Sequence, residues 1–341
     1  MNTRKILSVI IPTYNMECYL EHTLSSLLVD KHLDRLEVIV VNDGSTDDSL
    51  AIARRFHDRY PDVFVVIDKP NGHYGSCVNA GLKVAVGKYV KVLDADDSFD
   101  TNNLSSMLDL LNTLEVDLLI TQFVTISPEG ERGTPRNLHL PANRILDIKD
   151  VYQTMGRKGT WMHELTYRRS IFNEIDYQQS EGILYSDIQW GMVPMCRVRK
   201  LYYLDKTVYL YLMGRTGQSM ETKIHKQHLA DEYHVLFEVV KAYGQVDFCC
   251  AQTRKLLYNK LYKRLGWSYR ECMITYDDRH AKPLLEFDNN LRNANPELYG
   301  RLNRKLLSVP FIPVPFIKLW RDNPDGWLLR MALSVYKMLH H

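Results

Sequence analysis

Four consecutive residues, Asp94-Ala95-Asp96-Asp97, are the strongest chemical signal in the sequence. They follow a short apolar run that predicts a buried strand, so three carboxylates stand at the edge of an apolar setting. Carboxylates in such surroundings need a cation or hydrogen-bond donors to satisfy them. Hard divalent cations such as Mg²⁺ and Mn²⁺ prefer oxygen ligands and commonly bridge a carboxylate to substrate phosphates. The motif therefore predicts a metal-diphosphate site; the alternative is a solvated acidic turn that caps a helix starting near Asn102.

The segments around this motif predict the frame that holds it. Four runs rich in β-branched residues occur at 7–12, 37–41, 63–67 and 89–93. They are continuously apolar, which is typical of parallel strands covered on both faces. Segments with helical spacing lie between them, one of them opened by a predicted capping box at 45–48. With a further strand expected near 117–126, the alternation predicts a doubly wound α/β domain.

Polar residues follow three of the predicted strands. They are Pro12 to Asn15, Asn42 to Ser45, and the acidic motif. In open α/β sheets, ligands bind beyond the carboxyl ends of the strands. We therefore expect these three groups to meet at one rim of the sheet and to form one site there.

The second half of the chain reads differently. Beyond about residue 222 the pattern is helical, and the last segment, 327–341, predicts an amphipathic helix. Its apolar face carries Trp327, Met331, Val335 and Met338. Two interpretations stay open: the helix docks on a membrane that holds a lipid-linked acceptor, or its apolar face packs onto the catalytic domain.

Composition bounds the function classes. The chain has 341 residues with a formal net charge of only +2, so no global field demands a nucleic-acid partner. Its six cysteines have neither CxxC pairs nor regular spacing, which is typical of reduced thiols in a cytoplasmic protein. The apolar run at the start is too short for a signal peptide, and no stretch approaches the roughly twenty apolar residues of a membrane span. We expect a cytoplasmic protein, at most peripheral at the inner face of the membrane.

Four motifs together resemble the successive signatures of family 2 glycosyltransferases. They are SVIIPTYN at 8–15, EVIVVNDGSTD at 37–47, the segment 71–81, and the acidic motif 94–97. The resemblance is tight over 5–125, looser to about 220 and absent beyond. It implies the GT-A fold, with a catalytic domain at 1–220 and a helical region at 221–341. Within the catalytic domain it implies a nucleotide-sugar half at 1–125 and an acceptor half at 126–220.

The resemblance also implies a donor site. Pro12 and Tyr14 would line the base pocket, where the tyrosine ring offers a stacking face to a pyrimidine. Asp43 would accept a hydrogen bond from the uracil imide, and Asn71 would contact the base or the ribose. The alternatives from the residues alone are a core aromatic for Tyr14 and a helix cap for Asp43.

The acidic motif receives specific roles from the same resemblance. Asp94 would hold the ribose, Ala95 would lie in the donor site, and Asp96 would bind the Mg²⁺ or Mn²⁺ ion that bridges the diphosphate. Where many relatives have Ala-Arg-Asn, this chain has Cys77-Val78-Asn79, so an arginine expected near the nucleotide is missing. Backbone N–H groups of 72–76 would have to replace it.

Inverting transfer needs a carboxylate that takes the proton from the acceptor hydroxyl. Asp187 is the candidate, because 181–187 resembles the family's base region; the alternative is a helix N-cap. Arg215 and Ser219 resemble a loop that closes on the donor diphosphate, where an arginine would stabilise the leaving group. A surface turn is the alternative for that loop. His163 is a further candidate for the metal shell or for acceptor contact, against a purely structural role.

The sequence thus predicts an inverting transferase that moves a sugar from a nucleotide-diphosphate donor, with UDP favoured, to a saccharide or lipid-linked acceptor in cell-surface polysaccharide synthesis. Two rivals stay open. A sugar nucleotidyltransferase shares the scaffold and the metal, but it typically has a glycine-rich basic loop after its first strand, where this chain has Pro12-Thr13-Tyr14-Asn15. A catalytically inactive relative would keep the nucleotide pocket without the base.

Overall fold

The structure is a computed structural model that describes residues 5–215, 217–218, 221–309 and 312–340. It divides into two compact units. The first unit comprises the chain up to residue 218 together with 247–256, and the second comprises 219–246 and the chain from 257 onward. The functional division of the catalytic part at residue 125 stays a prediction.

One sheet forms the centre of the first unit. Its strands are β1 (Leu7–Thr13), β2 (Leu36–Asp43), β3 (Phe64–Lys69), β4 (Tyr89–Val92), β5 (Ser98–Phe99), β6 (Leu118–Ile126), β7 (Ile145–Asp147), β8 (Leu165–Arg168) and β9 (Lys200–Leu212). They lie in the order β3-β2-β1-β4-β8-β6-β9-β5, with β7 paired to β9. The four predicted apolar runs are confirmed as strands, and so is the strand near 117–126.

The pairing is mostly parallel. The strands β3, β2, β1 and β4 run parallel, as do β6 and β9. The short strand β8 is antiparallel to both of its neighbours and separates β4 from β6. All eight residues of β2 are buried, which explains why the run is continuously apolar rather than alternating. Burying each Val or Ile side chain there contributes about 1.5–3 kcal/mol of transfer free energy.

Helices cover both faces of this sheet. Those of the first unit are α1 (Glu17–Ser25), α2 (Ser49–Arg59), α3 (His73–Val84), α4 (Thr101–Thr113), α5 (Ile148–Lys158), α6 (Ser170–Glu174) and α7 (Asp187–Met192). The predicted capping box at 45–48 is wrong in detail: Asp48 is the N-cap of α2 but makes no side-chain cap bond. The carboxylate of Asp47 accepts the Ser49 N–H instead, at 3.0 Å.

The second unit is helical apart from one hairpin. Its elements are α8 (Thr222–Gln227), α9 (Leu229–Gln245), the greater part of α10 (Ala251–Ile274), α11 (Lys282–Ala294), α12 (Pro296–Leu302), β10 (Leu307–Val309), β11 (Ile312–Val314), α13 (Phe316–Asp322) and α14 (Trp327–His340). Among the described residues, no helix combines the length and the apolar character that crossing a bilayer requires.

The last helix, α14, is amphipathic as predicted, but its packing face differs from the predicted apolar face. The buried side chains are Leu329, Ala332 and Leu333. On the predicted apolar face, Trp327 and Met338 are 74% and 76% exposed. The interpretation that this face packs onto the catalytic domain is therefore wrong for these side chains. A second apolar stripe on the same helix makes the packing contact.

Candidate active site

The acidic motif forms a tight turn directly after β4. The Asp97 N–H donates to the Asp94 carbonyl at 3.0 Å, and the Thr23 hydroxyl of α1 lies 2.8 Å from the Ala95 carbonyl and 2.7 Å from the Asp97 carbonyl. The cap of the next helix is a different residue, because Asp100 accepts the Asn103 N–H at the start of α4. The interpretation of the motif as a helix cap is therefore wrong.

Each carboxylate of the motif has its own partner. Asp94 accepts a hydrogen bond from the Tyr74 hydroxyl at 2.9 Å. Asp97 accepts from the Tyr209 hydroxyl at 2.5 Å and from the Leu212 N–H at 2.7 Å. The Asp96 carboxylate lies 2.5 Å from Nε of Arg215. The motif is thus held by side chains from α3 and by β9 and the segment that follows it.

The imidazole of His163 lies close to two of these carboxylates. One ligand atom each of Asp94, Asp97 and His163 lie within 4.8 Å of one another. The imidazole is buried and packs against the rings of Tyr211 and Tyr209, with centroids 4.4 and 4.8 Å away. Its Nδ1 is buried without a hydrogen-bond partner among the described residues. Burial, with the nearby charges of Lys91 and Arg136, lowers the pKa of His163 to about 3, so the ring is neutral.

The electrostatics of this group favour a bound cation. Burial, followed by the charge of Asp96, raises the pKa of Asp94 to about 7. Burial and the charges of Asp94 and Asp96 also raise the pKa of Asp97 well above its ordinary range. Two carboxylates with raised pKa values beside a neutral imidazole are an O,O,N donor set that suits Mn²⁺ or Mg²⁺. The residues present therefore fit a divalent cation.

Asp187 lies within electrostatic range of the acidic motif. It is the first residue of α7, and the N-cap position belongs to Ser186. The negative charge of Asp187 contributes to the raised pKa values of Asp94, Tyr74 and Tyr211. Electrostatics thus couple the predicted base to the acidic motif, although 90 residues separate them in the chain.

The segment that leads to Asp187 is fastened to α3. The Asn79 amide donates to the Gln179 carbonyl and to the Glu181 carboxylate, each at 2.8 Å, and its oxygen accepts the Gln179 N–H at 2.9 Å. Gln179 in turn donates to the Ser186 hydroxyl at 3.2 Å. The sequence pattern at 77–79 indicated only a missing arginine, so the hydrogen bonds that join Asn79 to residues 179 and 181 were not predicted.

Close backbone packing accompanies these bonds. A methyl group added at Gly75 would lie 1.9 Å from the Ser180 carbonyl oxygen. The Gly182 N–H also donates to the Gly72 carbonyl at 2.8 Å. The segment 179–186 therefore lies directly on the first turns of α3.

The predicted base-pocket residues occupy the ends of β1 and β2. Pro12 lies in the last part of β1, and Tyr14 just beyond it is 48% exposed. The alternative of a core aromatic is therefore wrong for Tyr14. Asp43 is buried at the end of β2, where it pairs with Lys69 at 2.5 Å and accepts the Gly72 N–H at 3.0 Å. Asn71 is exposed and accepts the His73 N–H at 3.4 Å.

Lys69 is a residue that the sequence analysis missed. It ends β3, and its ammonium also donates to the Ser76 hydroxyl at 2.8 Å. It supplies a positive charge near the segment where the family's arginine is missing. A lone lysine after a strand gives no local signal, so only the pairing of β2 with β3 reveals it.

The loop after β9 carries two predicted site residues, and one of them is described. Arg215 pairs with Asp96, as above, and its guanidinium lies 5.4 Å from the Tyr19 ring centroid. Arg215 therefore lies directly against the acidic motif. The other residue predicted in this loop, Ser219, lies outside the described residues.

Comparisons with known proteins agree with this architecture. The model of the family described as Glycosyl transferase family 2 matches residues 8–176. An uncharacterized glycosyltransferase of Nostoc sp., alr2836, is 36% identical over 286 residues, which cover 78% of this chain and 85% of that protein. The poly(ribitol-phosphate) beta-N-acetylglucosaminyltransferase TarS of Staphylococcus aureus is 26% identical over 220 residues, 63% of this chain and 37% of TarS.

Solved structures resemble the chain over nearly its whole length. The crystal structure of TarS 1–349 in complex with UDP-GlcNAc matches with a TM-score of 0.72 and 20% identity, covering 98% of this chain and 93% of that one. The mannosyltransferase PcManGT of Pyrobaculum calidifontis, in complex with GDP-Man and Mn²⁺, matches with a TM-score of 0.52 and 16% identity, covering 98% and 88%. The predicted GT-A fold, with its mostly parallel sheet and C-terminal helices, is confirmed.

Proposed function

Because this chain belongs to glycosyltransferase family 2, we propose that it is an inverting enzyme that transfers a sugar from a UDP-linked donor to a hydroxyl of a saccharide or lipid-linked acceptor. The single observation that carries the proposal is the grouping of Asp94, Asp97 and His163 beside Asp187. A cation site and a carboxylate base within electrostatic reach of each other are what such a transfer needs.

The cation would be held by Asp94, Asp97 and His163. A bound Mn²⁺ or Mg²⁺ would neutralise the donor diphosphate and stabilise the charge that develops on it. The assignment of Asp96 as a metal ligand stays a prediction. In the structure its carboxylate pairs with Arg215. The guanidinium of Arg215 would help to orient the diphosphate so that the anomeric carbon of the attached sugar faces Asp187.

Asp187 would act as the general base. Its carboxylate takes the proton of the acceptor hydroxyl while the hydroxyl oxygen forms a bond to the anomeric carbon. The bond from that carbon to the diphosphate oxygen breaks on the opposite face, which inverts the configuration. The bonds of Asn79 and Gln179 fix the approach of this carboxylate, and such positioning is itself a large part of catalysis.

The donor and acceptor classes rest on the residues at the rim and on the relatives. The exposed ring of Tyr14 offers a stacking surface, and Asp43 offers a carboxylate to an imide N–H. TarS has been crystallised with UDP-GlcNAc, and its name specifies a poly(ribitol-phosphate) acceptor. We propose by analogy a UDP-sugar donor and an acceptor of cell-surface polysaccharide synthesis.

The proposal includes a cellular place. All six cysteines are free, which fits a reducing compartment, and the exposed apolar face of α14 fits peripheral contact with a membrane. We therefore propose a cytoplasmic enzyme that touches the inner face of the membrane through α14.

The decisive experiment compares Asp187→Asn with a matched control, Asp176→Asn, an exposed aspartate eleven residues earlier. We expect Asp187→Asn to lower kcat for sugar transfer by about 10²–10⁴, the usual contribution of a general base. UDP release from a panel of UDP-sugars with Mn²⁺ and saccharide acceptors would measure it. Binding of UDP should stay within a few-fold of wild type for both variants.

The rival functions give other outcomes. A binding protein without catalysis would show no transfer in wild type and no difference for Asp187→Asn. A nucleotidyltransferase would release pyrophosphate from a nucleoside triphosphate and a sugar phosphate. Either result would remove the proposal.

A further inference from the structure

A basic pocket of about 300 Å³ lies within the second unit. Three cationic side chains enter it: Lys263 and Arg270 from α10, and Lys305 from the segment before β10. The rings of Trp267 and Tyr336 form its apolar walls. None of the described residues that line the pocket is acidic, so the lining combines positive charge with apolar side chains.

The cations of this pocket repel one another. Burial lowers the pKa of Lys305, and the charges of Lys263 and Arg270 lower it further. Arg270 lies 3.5 Å from the Glu271 carboxylate, and its guanidinium donates to the Tyr336 hydroxyl at 3.3 Å. A bound anion would relieve this repulsion, and a phosphate group matches several converging donors.

An exposed apolar surface adjoins the pocket. Leu306, in the pocket lining, is 53% exposed. The helix α14 supplies Tyr336 and His340 to the lining and carries the exposed residues Trp327, Met331, Met338 and Leu339 on the face beyond them. Large exposed apolar side chains grouped on one helix mark a candidate interaction surface.

We propose that this pocket binds the phosphate of an anionic phospholipid headgroup while the exposed face of α14 enters the headgroup region. The inference rests on the proposed membrane contact of α14 and adds the lipid class that the contact selects. A lipid offers both complementary parts at once: an anionic phosphate for the three cations and acyl chains for the apolar side chains. A soluble phosphorylated polymer would satisfy the cations but leave Met338 and Leu339 in water.

Vesicle sedimentation tests the inference with the full chain. The probes are vesicles of phosphatidylcholine alone and vesicles that also contain phosphatidylglycerol. The variant is Lys305→Gln, and the control is Lys282→Gln, a highly exposed lysine of α11 in the same unit. We expect Lys305→Gln to weaken partitioning onto the anionic vesicles about fivefold, the usual contribution of one basic residue at such a surface. The control should change it less than twofold.

Two results would overturn the inference. One is an equal loss for both lysine variants, which would mean general surface charge rather than a pocket. The other is full competition by soluble glycerol phosphate or inorganic phosphate on wild type with no preference for anionic vesicles, which would assign the pocket to a soluble anion.

The membrane contact and the transferase activity are tested separately. If wild type binds neither kind of vesicle, both the membrane contact and the lipid pocket fail. Sugar transfer to a water-soluble acceptor reports on the enzyme alone, and Lys305→Gln should leave it unchanged. A loss of that transfer would place Lys305 in a different function and contradict the inference.

Discussion

The acidic motif of the first unit and the basic pocket of the second unit both gather like charges, but they are built differently. The first takes Asp94 and Asp97 from one turn and completes them with His163. The second takes its cations from α10 and from the segment before β10, about forty residues apart. In both, the repulsion is a cost to folding that a ligand of opposite charge would remove. Like charges in close proximity mark both places, whereas a contiguous sequence motif marks only the first.

The largest effect that would test the comparison is loss of cation binding at the acidic motif. Asp94→Asn keeps an oxygen that can accept the Tyr74 hydroxyl but removes a charged ligand. We expect at least a hundredfold weaker Mn²⁺ binding by calorimetry, more than the loss usual for an outer-shell partner. The melting temperature of the metal-free protein should stay equal or rise, because one repelling charge is gone.

The matched control for that variant is Asp58→Asn, an exposed residue of α2. It should change neither quantity. A clear fall in the metal-free melting temperature of Asp94→Asn would show that the carboxylate stabilises the fold, and the idea that repulsion at this motif is a cost to folding would then be wrong.

A smaller effect is the pH dependence at the same motif. The pKa of Asp94 is raised from 3.8 to about 7, so the native state binds more protons than the unfolded chain between those values. The stability of the metal-free protein should therefore fall as pH rises from about 4 to 7. Mn²⁺ binding has the opposite slope, since the carboxylates of Asp94 and Asp97 must lose their protons first, and affinity should fall at least tenfold for each pH unit below 7.

Thermal melting with and without Mn²⁺ at several pH values measures both slopes. Asp94→Asn should flatten the metal-free curve. A wild-type curve that rises through this range without metal would contradict the sign derived from the raised pKa.

The smallest effect concerns the second unit. Met338→Ser removes an exposed side chain from the apolar face of α14, and we expect partitioning onto anionic vesicles to weaken about two- to fivefold. The matched control is Leu285→Ser, an exposed apolar residue of α11. Neither change should move the unfolding free energy by more than about 0.5 kcal/mol. Equal losses of vesicle binding would show that α14 has no special contact.

Local sequence patterns predicted the strands and the acidic motif because each is a contiguous run. The strands β1, β2 and β4 are mostly apolar and buried, and the carboxylates that follow β4 stand out against them. The amphipathic pattern of α14 was also readable, yet the sequence could not tell which of its two apolar stripes packs. That choice depends on tertiary neighbours rather than on periodicity.

Contacts between residues that are far apart in the chain could not be predicted from the sequence. The role of His163 stayed open in the sequence analysis, because nothing in Trp161-Met162-His163 indicates that its ring lies near Asp94 and Asp97. The strand β8 has four residues and no apolar run, so its insertion between β4 and β6 was not predicted. Lys69 and the basic pocket likewise depend on strand pairing and helix packing, which a single sequence does not encode locally.

The close approach at Gly75 has a consequence for redesign of this enzyme. The carbonyl of Ser180 occupies the space that any side chain at this position would need. Redesign of the segment 179–186 should therefore leave Gly75 unchanged, since a larger residue there would displace the backbone that leads to Asp187.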